Sequence, residues 1–247
     1  MASMNLRRWV IALATGVTMA ATASLGVWQL SRAAEKQALE DLIVARASLP
    51  PWDAYALTQA QDLDGGLHRP VRLNGEWVPG ASVYLDNRPM GGRSGFFLVT
   101  PLRLQGDENR VILVQRGWVP RDFTDRSRVP AVATPPGVVV VEGRLAPPPS
   151  QLFELGESEP GPIRQNIDLA AFAAETGLAL MPVSVLQTGP ADPALQRDWP
   201  RFAAGVAKHH GYAFQWFAMC AATAALYLWF QFISPRRKRR PDGPDSR

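Results

Sequence analysis

Cysteine is nearly absent from this 247-residue chain, which has Cys220 alone beside three histidines, His68, His209 and His210. A single thiol excludes an intramolecular disulfide. There is no Cys-x-x-Cys pair and no Cys-x-x-Cys-His haem-attachment site, so thiol redox work and covalent haem lose their support. No Cys/His group has the spacing of a zinc or copper centre. The Gly-x-Ser-x-Gly nucleophile elbow, a phosphate loop and a dinucleotide fingerprint are missing too, so the chain reads as a non-enzyme. Acidic pairs such as Asp107-Glu108 stand among turn residues and are most simply solvated.

Charge is missing from two long stretches. Residues 9–30 (WVIALATGVTMAATASLGVWQL) and 211–233 (GYAFQWFAMCAATAALYLWFQFI) contain no Asp, Glu, Lys or Arg. At about 1.5 Å per residue each helix would measure roughly 33–35 Å, enough for a hydrocarbon core of about 30 Å. Trp9, Trp28, Trp216 and Trp229 lie towards the ends of the runs, where aromatic rings favour the headgroup region. Two transmembrane helices are therefore expected.

The net charge of +4 does not point to nucleic acid once it is divided. Residues 1–8 carry two Arg. Residues 31–208 carry 18 basic against 20 acidic residues, and 234–247 carry six basic against two Asp. Short basic flanks stay in the cytoplasm, whereas a long loop is exempt from that rule. The expected order is a cytoplasmic N-terminus (1–8), a first span (9–30), an extracytoplasmic domain (31–208), a second span (211–233) and a basic cytoplasmic tail (234–247). Ala21-Thr22-Ala23 resembles a signal-peptide cleavage site. The apolar run continues past it to Leu30, which favours an uncleaved anchor. No Arg- and Ser-rich transit peptide is present, so the bilayer expected is a bacterial inner membrane.

Between the spans, residues 31–47 keep helical composition and Pro50-Pro51 closes them. A short helix is expected over 52–61 and another over 168–176, with Asp168 as N-cap and Gly177 after its end. Strands are expected over 70–78, 82–86, 96–104, 111–119, 137–145 and 181–186, punctuated by Pro/Gly/Asn/Asp turns. The fold class is α+β: two transmembrane helices flanking a β-rich, mostly antiparallel extracytoplasmic domain.

Two places could hold chemistry. His68 stands at the start of a strand, either as a general base or as a partly exposed strand-edge residue. At the head of the second span, His209, Tyr212, Ala213 and Trp216 follow offsets of three, four and seven, and so share a helix face from which His210 points away. An imidazole among aromatic rings suits one side of a haem. The same residues also suit an aromatic belt at the membrane interface. Small residues recur every four positions at Ala12, Gly16, Ala20 and Ser24, and at Ala218/Ala222 and Ala221/Ala225. They suit close packing, either of the two spans together or of a partner's helix. Cys220 reads as a small packing residue.

Taken together, several motifs resemble the Surfeit-locus-one family of cytochrome c oxidase assembly factors. They are Gly26-Val-Trp28-Gln29-Leu30-Ser-Arg32 with Lys36, Pro70-Val-Arg-Leu-Asn-Gly75, Leu85-Asp-Asn87-Arg88, Gly92-Arg-Ser-Gly95, Val111-Ile-Leu-Val-Gln115-Arg116-Gly117-Trp118-Val-Pro120, and His209-x-x-Tyr212-Ala213-x-x-Trp216. Gln115 departs from the family's usual Asn. The resemblance implies an assembly factor that binds haem a transiently and aids its insertion into oxidase subunit I. It implies His209 as the iron ligand, with Tyr212, Trp216, Trp28 and Gln29 around the haem and Arg32 near a propionate. The adjacent His210 leaves a second candidate ligand. Implied partners are oxidase subunit I, a haem a synthase and the lipid bilayer. Arg116-Gly117-Trp118 and Asn87-Arg88 are expected to shape turns and strand pairing, or to meet a partner. The alternative is a scaffold that holds subunit I or the synthase without binding haem; an envelope hydrolase or sensor lacks a catalytic constellation.

Overall fold

The computed structural model describes residues 2–107, 109–122, 124, 129–149, 152, 161–189, 194–199 and 205–234. The basic run at 236–240 lies outside them. The chain forms two compact units, Met1–Asp41 with Arg201–Arg247, and Leu42–Pro200.

The first unit is helical. Helix α1 (Ala2–Ala47) runs through the first apolar stretch without interruption and ends just before Pro50-Pro51. Helix α4 (Val206–Leu228) continues into a π-helical turn, Trp229–Ile233. Both are long and apolar enough to cross a membrane. Large apolar side chains on both are turned outward, with Trp9 and Phe214 each 75% exposed. A core helix of a soluble protein would bury such residues.

The positions that the helices do cover follow one rule. On α1 they include Thr15, Met19, Thr22, Gly26, Gln29 and Ala33; on α4 they include His209, Ala213, Trp216, Cys220, Thr223 and Tyr227. Steps of three and four alternate, which is the seam of a helix pair. The Cys220 Sγ lies 3.6 Å from the Met19 carbonyl oxygen. A Cβ added at Gly26 would stand 2.8 Å from the Phe217 ring. Of the small-residue repeat on α1, Gly16, Ala20 and Ser24 fall outside this seam and are exposed. A strict four-residue step advances about 40° around the helix each time and drifts off the contact line.

The second unit is built on a sheet closed into a barrel. Its strands are β1 (Pro70–Trp77), β2 (Val83–Leu85), β3 (Gly95–Leu104), β4 (Val111–Pro120), β5 (Val138–Ala146), β6 (Ile163–Arg164) and β7 (Leu180–Gln187). Their order is β1-β5-β7-β4-β3-β2-β6, and a further β1–β3 pairing closes the ring. The pairings are antiparallel apart from β4–β7 and β2–β6. Leu73, Leu102, Ile112, Val114, Leu145 and Val185 fill the interior, and Leu57 of α2 (Ala54–Gln59) packs with them. On the other face of the wall, Val99 and Leu113 are covered by Phe172 of α3 (Leu169–Thr176). Burial on both faces explains why β4 opens with the continuous apolar run Val111–Val114 rather than an alternating one. Helix α3 starts where Asp168 accepts the Ala171 N–H at 2.8 Å and stops at the left-handed Gly177.

Closure depends on the absence of a side chain. Gly75 pairs with both Val139 of β5 and Leu104 of β3. A Cβ there would sit 2.3 Å from the Arg103 carbonyl oxygen, a backbone atom that cannot swing away. Gly75→Ala should therefore destabilise the barrel by about 1–3 kcal/mol or more. Denaturant unfolding followed by the fluorescence of the buried Trp118 would measure it, and an unchanged midpoint would show that β1 does not need to bend there.

Candidate functional site

Helix α4 begins at Gly205, whose φ of 95° places it in the left-handed region and whose carbonyl accepts from the Lys208 and His209 amides. His209 thus enters the first turn on the seam side. Its Nδ1 lies 2.7 Å from the Gln29 Oε1 of α1. With the amide oxygen facing the ring, this contact is a hydrogen bond in the tautomer that carries its proton on Nδ1. The lone pair is then on Nε2, where a metal can take it. A partner on one ring nitrogen that fixes the tautomer and aims the other is the usual support of an imidazole ligand. His210, one residue on, is exposed and lies off the seam.

The remaining residues expected at the site fall into two groups. Ala213, one turn into α4, is 2% exposed, and Trp216 is partly buried on the same line. Trp28 and Tyr212 flank the seam, each 50% exposed. Each ring thus keeps half of its apolar surface open. The Arg32 guanidinium lies 5.9 Å from the Trp28 ring centroid and pairs with Glu35 at 2.8 Å. Both members of that pair are more than half exposed, so the contact is weak and can be exchanged for another anion. Two buried alanines of this region, Ala33 and Ala213, carry no functional group of their own. Their signal in the sequence is the three-four spacing they share with Gln29 and His209. Among the described residues no group of three or more His, Cys, Asp or Glu side chains forms a metal cage.

Three of the barrel's motif residues, Arg88, Arg116 and Trp118, are buried, whereas Asn87, Arg93 and Ser94 are exposed. A register shift makes Arg116 the extra residue of a bulge, since Leu98 faces Gly117 while Val99 faces Gln115. The buried Arg116 donates to the Ala133 carbonyl at 2.8 Å and lies 4.8 Å from the Trp77 ring. Trp118 donates from Nε1 to the Arg88 carbonyl at 2.7 Å, and Arg88 donates to the Gln165 carbonyl at 2.9 Å. These side chains fasten loops to the barrel wall.

His68, expected to be partly exposed, is buried just before β1 with a φ of 70°, and its amide donates to the Leu145 carbonyl at 2.7 Å. Burial, then the positive charges of Arg144 and Arg46, push its pKa below the usual 6.5. The unfolded chain therefore takes up this proton first as pH falls. The stability His68 contributes is present above pH 6.5 and is lost on descent through its lower folded value. His68→Asn, which tolerates a positive φ, should flatten the loss of barrel stability between about pH 7 and pH 5. Urea midpoints at the two pH values test this, and an unaltered loss would remove His68 as its source.

A second expectation concerns the tautomer. Nitrogen-15 histidine spectra of the purified protein should give His209 the Nδ1–H signature. Gln29→Leu should abolish that preference while His210 stays unchanged. An Nε2–H signature in the unaltered protein would contradict the orientation given above.

A sequence model of the SURF1 family matches residues 16–221. A SURF1-like protein of Rickettsia felis is 33% identical over 115 residues, 46% of this chain and 46% of that protein. A SURF1-like protein of Rickettsia bellii is 27% identical over 224 residues, 86% of this chain and 87% of that one. Surfeit locus protein 1 of Arabidopsis thaliana is 34% identical over 126 residues, 46% of this chain and 35% of that protein. The chain thus spans about half the length of the first of these relatives. The family match takes in the barrel and both sides of the seam, including Gln29 and His209, and the chain belongs to the SURF1 family.

Proposed function

We propose that this chain is a membrane-anchored assembly factor for haem–copper cytochrome c oxidase, which binds haem a at the head of its helix pair and aids its insertion into subunit I. The observation that supports the proposal is the 2.7 Å contact of His209 Nδ1 with Gln29 Oε1, a hydrogen bond that would leave the Nε2 lone pair available to an iron. Haem a would be the cargo, with its iron held by the His209 imidazole. The donor set suits it: one oriented imidazole, the exposed faces of Trp28 and Tyr212, and Arg32 able to leave Glu35 for a propionate. Half-exposed walls favour a site that binds moderately and releases its cargo. Helices of this length with outward apolar side chains support two spans of a bacterial inner membrane, both termini cytoplasmic and the barrel outside. Enzymatic chemistry has no part in this reading.

One observation favours the alternative scaffold. Gly16, Ala20 and Ser24 form an exposed small-residue line on α1 that would let a helix of subunit I or of haem a synthase approach closely. A single experiment separates the readings. Protein purified from membranes of cells that make haem a should show a haem a spectrum. His209→Ala should lose at least about tenfold in occupancy, Gln29→Leu should lose less, and His210→Ala should retain it. A haem-free native protein, or full retention in His209→Ala, would leave only the scaffold. Retention in His209→Ala with loss in His210→Ala would move the ligand to His210.

A further inference from the structure

At the far end of the helix pair from His209 the two helices line a cleft of about 650 Å³. That volume falls within the roughly 300–1,000 Å³ of small-molecule sites. Its wall is apolar, with Ile11, Leu226 and Phe230, while Arg7, Arg8 and Tyr227 supply cations and a hydroxyl. Among the described residues, α1 has no acidic side chain before Glu35 and α4 has none at all, so neither helix offers a carboxylate to those guanidinium groups. The α4 wall of the cleft is also where its helical ladder changes. Phe230 lies in the π-helical turn Trp229–Ile233, an irregularity that often marks functional sites.

Depth decides what such a cleft meets. Twenty-two residues separate Arg7 from Gln29 on α1, a rise of about 33 Å, close to the hydrocarbon thickness of about 30 Å. When the Gln29–His209 pair lies at one membrane surface, Arg7 and Arg8 lie at the phosphate level of the other. A free anion would not require the apolar wall, and a neutral lipid would not require the arginines.

We infer that this cleft binds one anionic diacyl phospholipid. Its phosphodiester meets Arg7, Arg8 and the Tyr227 hydroxyl, and its acyl chains lie along Ile11, Leu226 and Phe230. The site rests on the membrane-spanning part of the function proposed above, but not on haem binding. Cationic pockets between membrane helices hold lipid headgroups through the same combination of charge and apolar wall.

The test is native mass spectrometry of the full chain in detergent, titrated separately with phosphatidylglycerol and phosphatidylcholine. One phosphatidylglycerol should be retained about fivefold more than phosphatidylcholine. Arg7→Gln with Arg8→Gln should bring retention down to the phosphatidylcholine level. Leu226→Trp, which fills the cleft and leaves all charge in place, should lower it as well. Arg236→Gln with Arg237→Gln should not. Equal retention of the two lipids, or an equal loss from the 236/237 variant, would overturn the site in favour of diffuse attraction. Alkaline carbonate treatment of native membranes separates the two failures. Release of the chain would overturn the spanning reading and the lipid site together, whereas retention without lipid preference would overturn the site alone.

Discussion

Two helices meet along one three-four seam that joins Gln29 to His209, 180 residues apart in sequence, and most of what is specific in this chain depends on that meeting. An isolated apolar helix in a bilayer gains nothing from hydrophobicity when it packs, because lipid is equally apolar. What remains is close fit and hydrogen bonding. The chain supplies fit with Gly26, Ala33 and Ala213, and a hydrogen bond with Gln29 and His209. The polar contact thus acts twice: it fixes the register of α1 against α4, and it orients an imidazole. Structure and proposed function share the same two atoms.

The barrel solves a different problem with different means. Five strands cannot close tightly unless some backbones approach without side chains between them. Gly75 stands where a Cβ would meet the Arg103 carbonyl at 2.3 Å, and Gly117 where a Cβ would meet the Leu195 Cβ of a segment outside the strands at 2.8 Å. Arginines that a surface survey would assign to partners are turned instead to backbone carbonyls. Arg88 and Arg116 each bind the main chain of a loop remote in sequence, and Arg197 donates to both the Arg116 and Gly189 carbonyls. Such a contact needs a cation only as a long, multiply donating rod. It accounts for the specificity of these motifs without any ligand.

Local patterns were the most legible. Strand limits read from β-branched and aromatic runs agree with the structure to within a residue or two, because Pro/Gly turns interrupt both the pattern and the ladder. The cap pair Asp168 and Gly177 was legible for the same reason: its chemistry lies within a few residues. Barrel closure, the parallel β4–β7 pairing and the two-residue β6 were not, since each is a long-range choice that leaves no local periodicity. The burial of His68 was hidden too, because its neighbours in space, Arg46 and Arg144, are remote in sequence.

Within the site, spacing separated His209 from His210 correctly as to which side of the helix each takes. It grouped Tyr212 with the others only because an offset of three lies about 60° from the face centre, near enough for a wheel and too far for the seam. The seam resolves the group by depth of burial. Ala213 and Trp216 turn inward, Tyr212 and Trp28 remain half in the open, and the imidazole sits between the two sets. A buried cavity in that position would favour retention, because every desolvated contact would have to be broken on release. An oriented ligand with open aromatic flanks demands less on departure, which is the balance a carrier needs and a resident cofactor site does not.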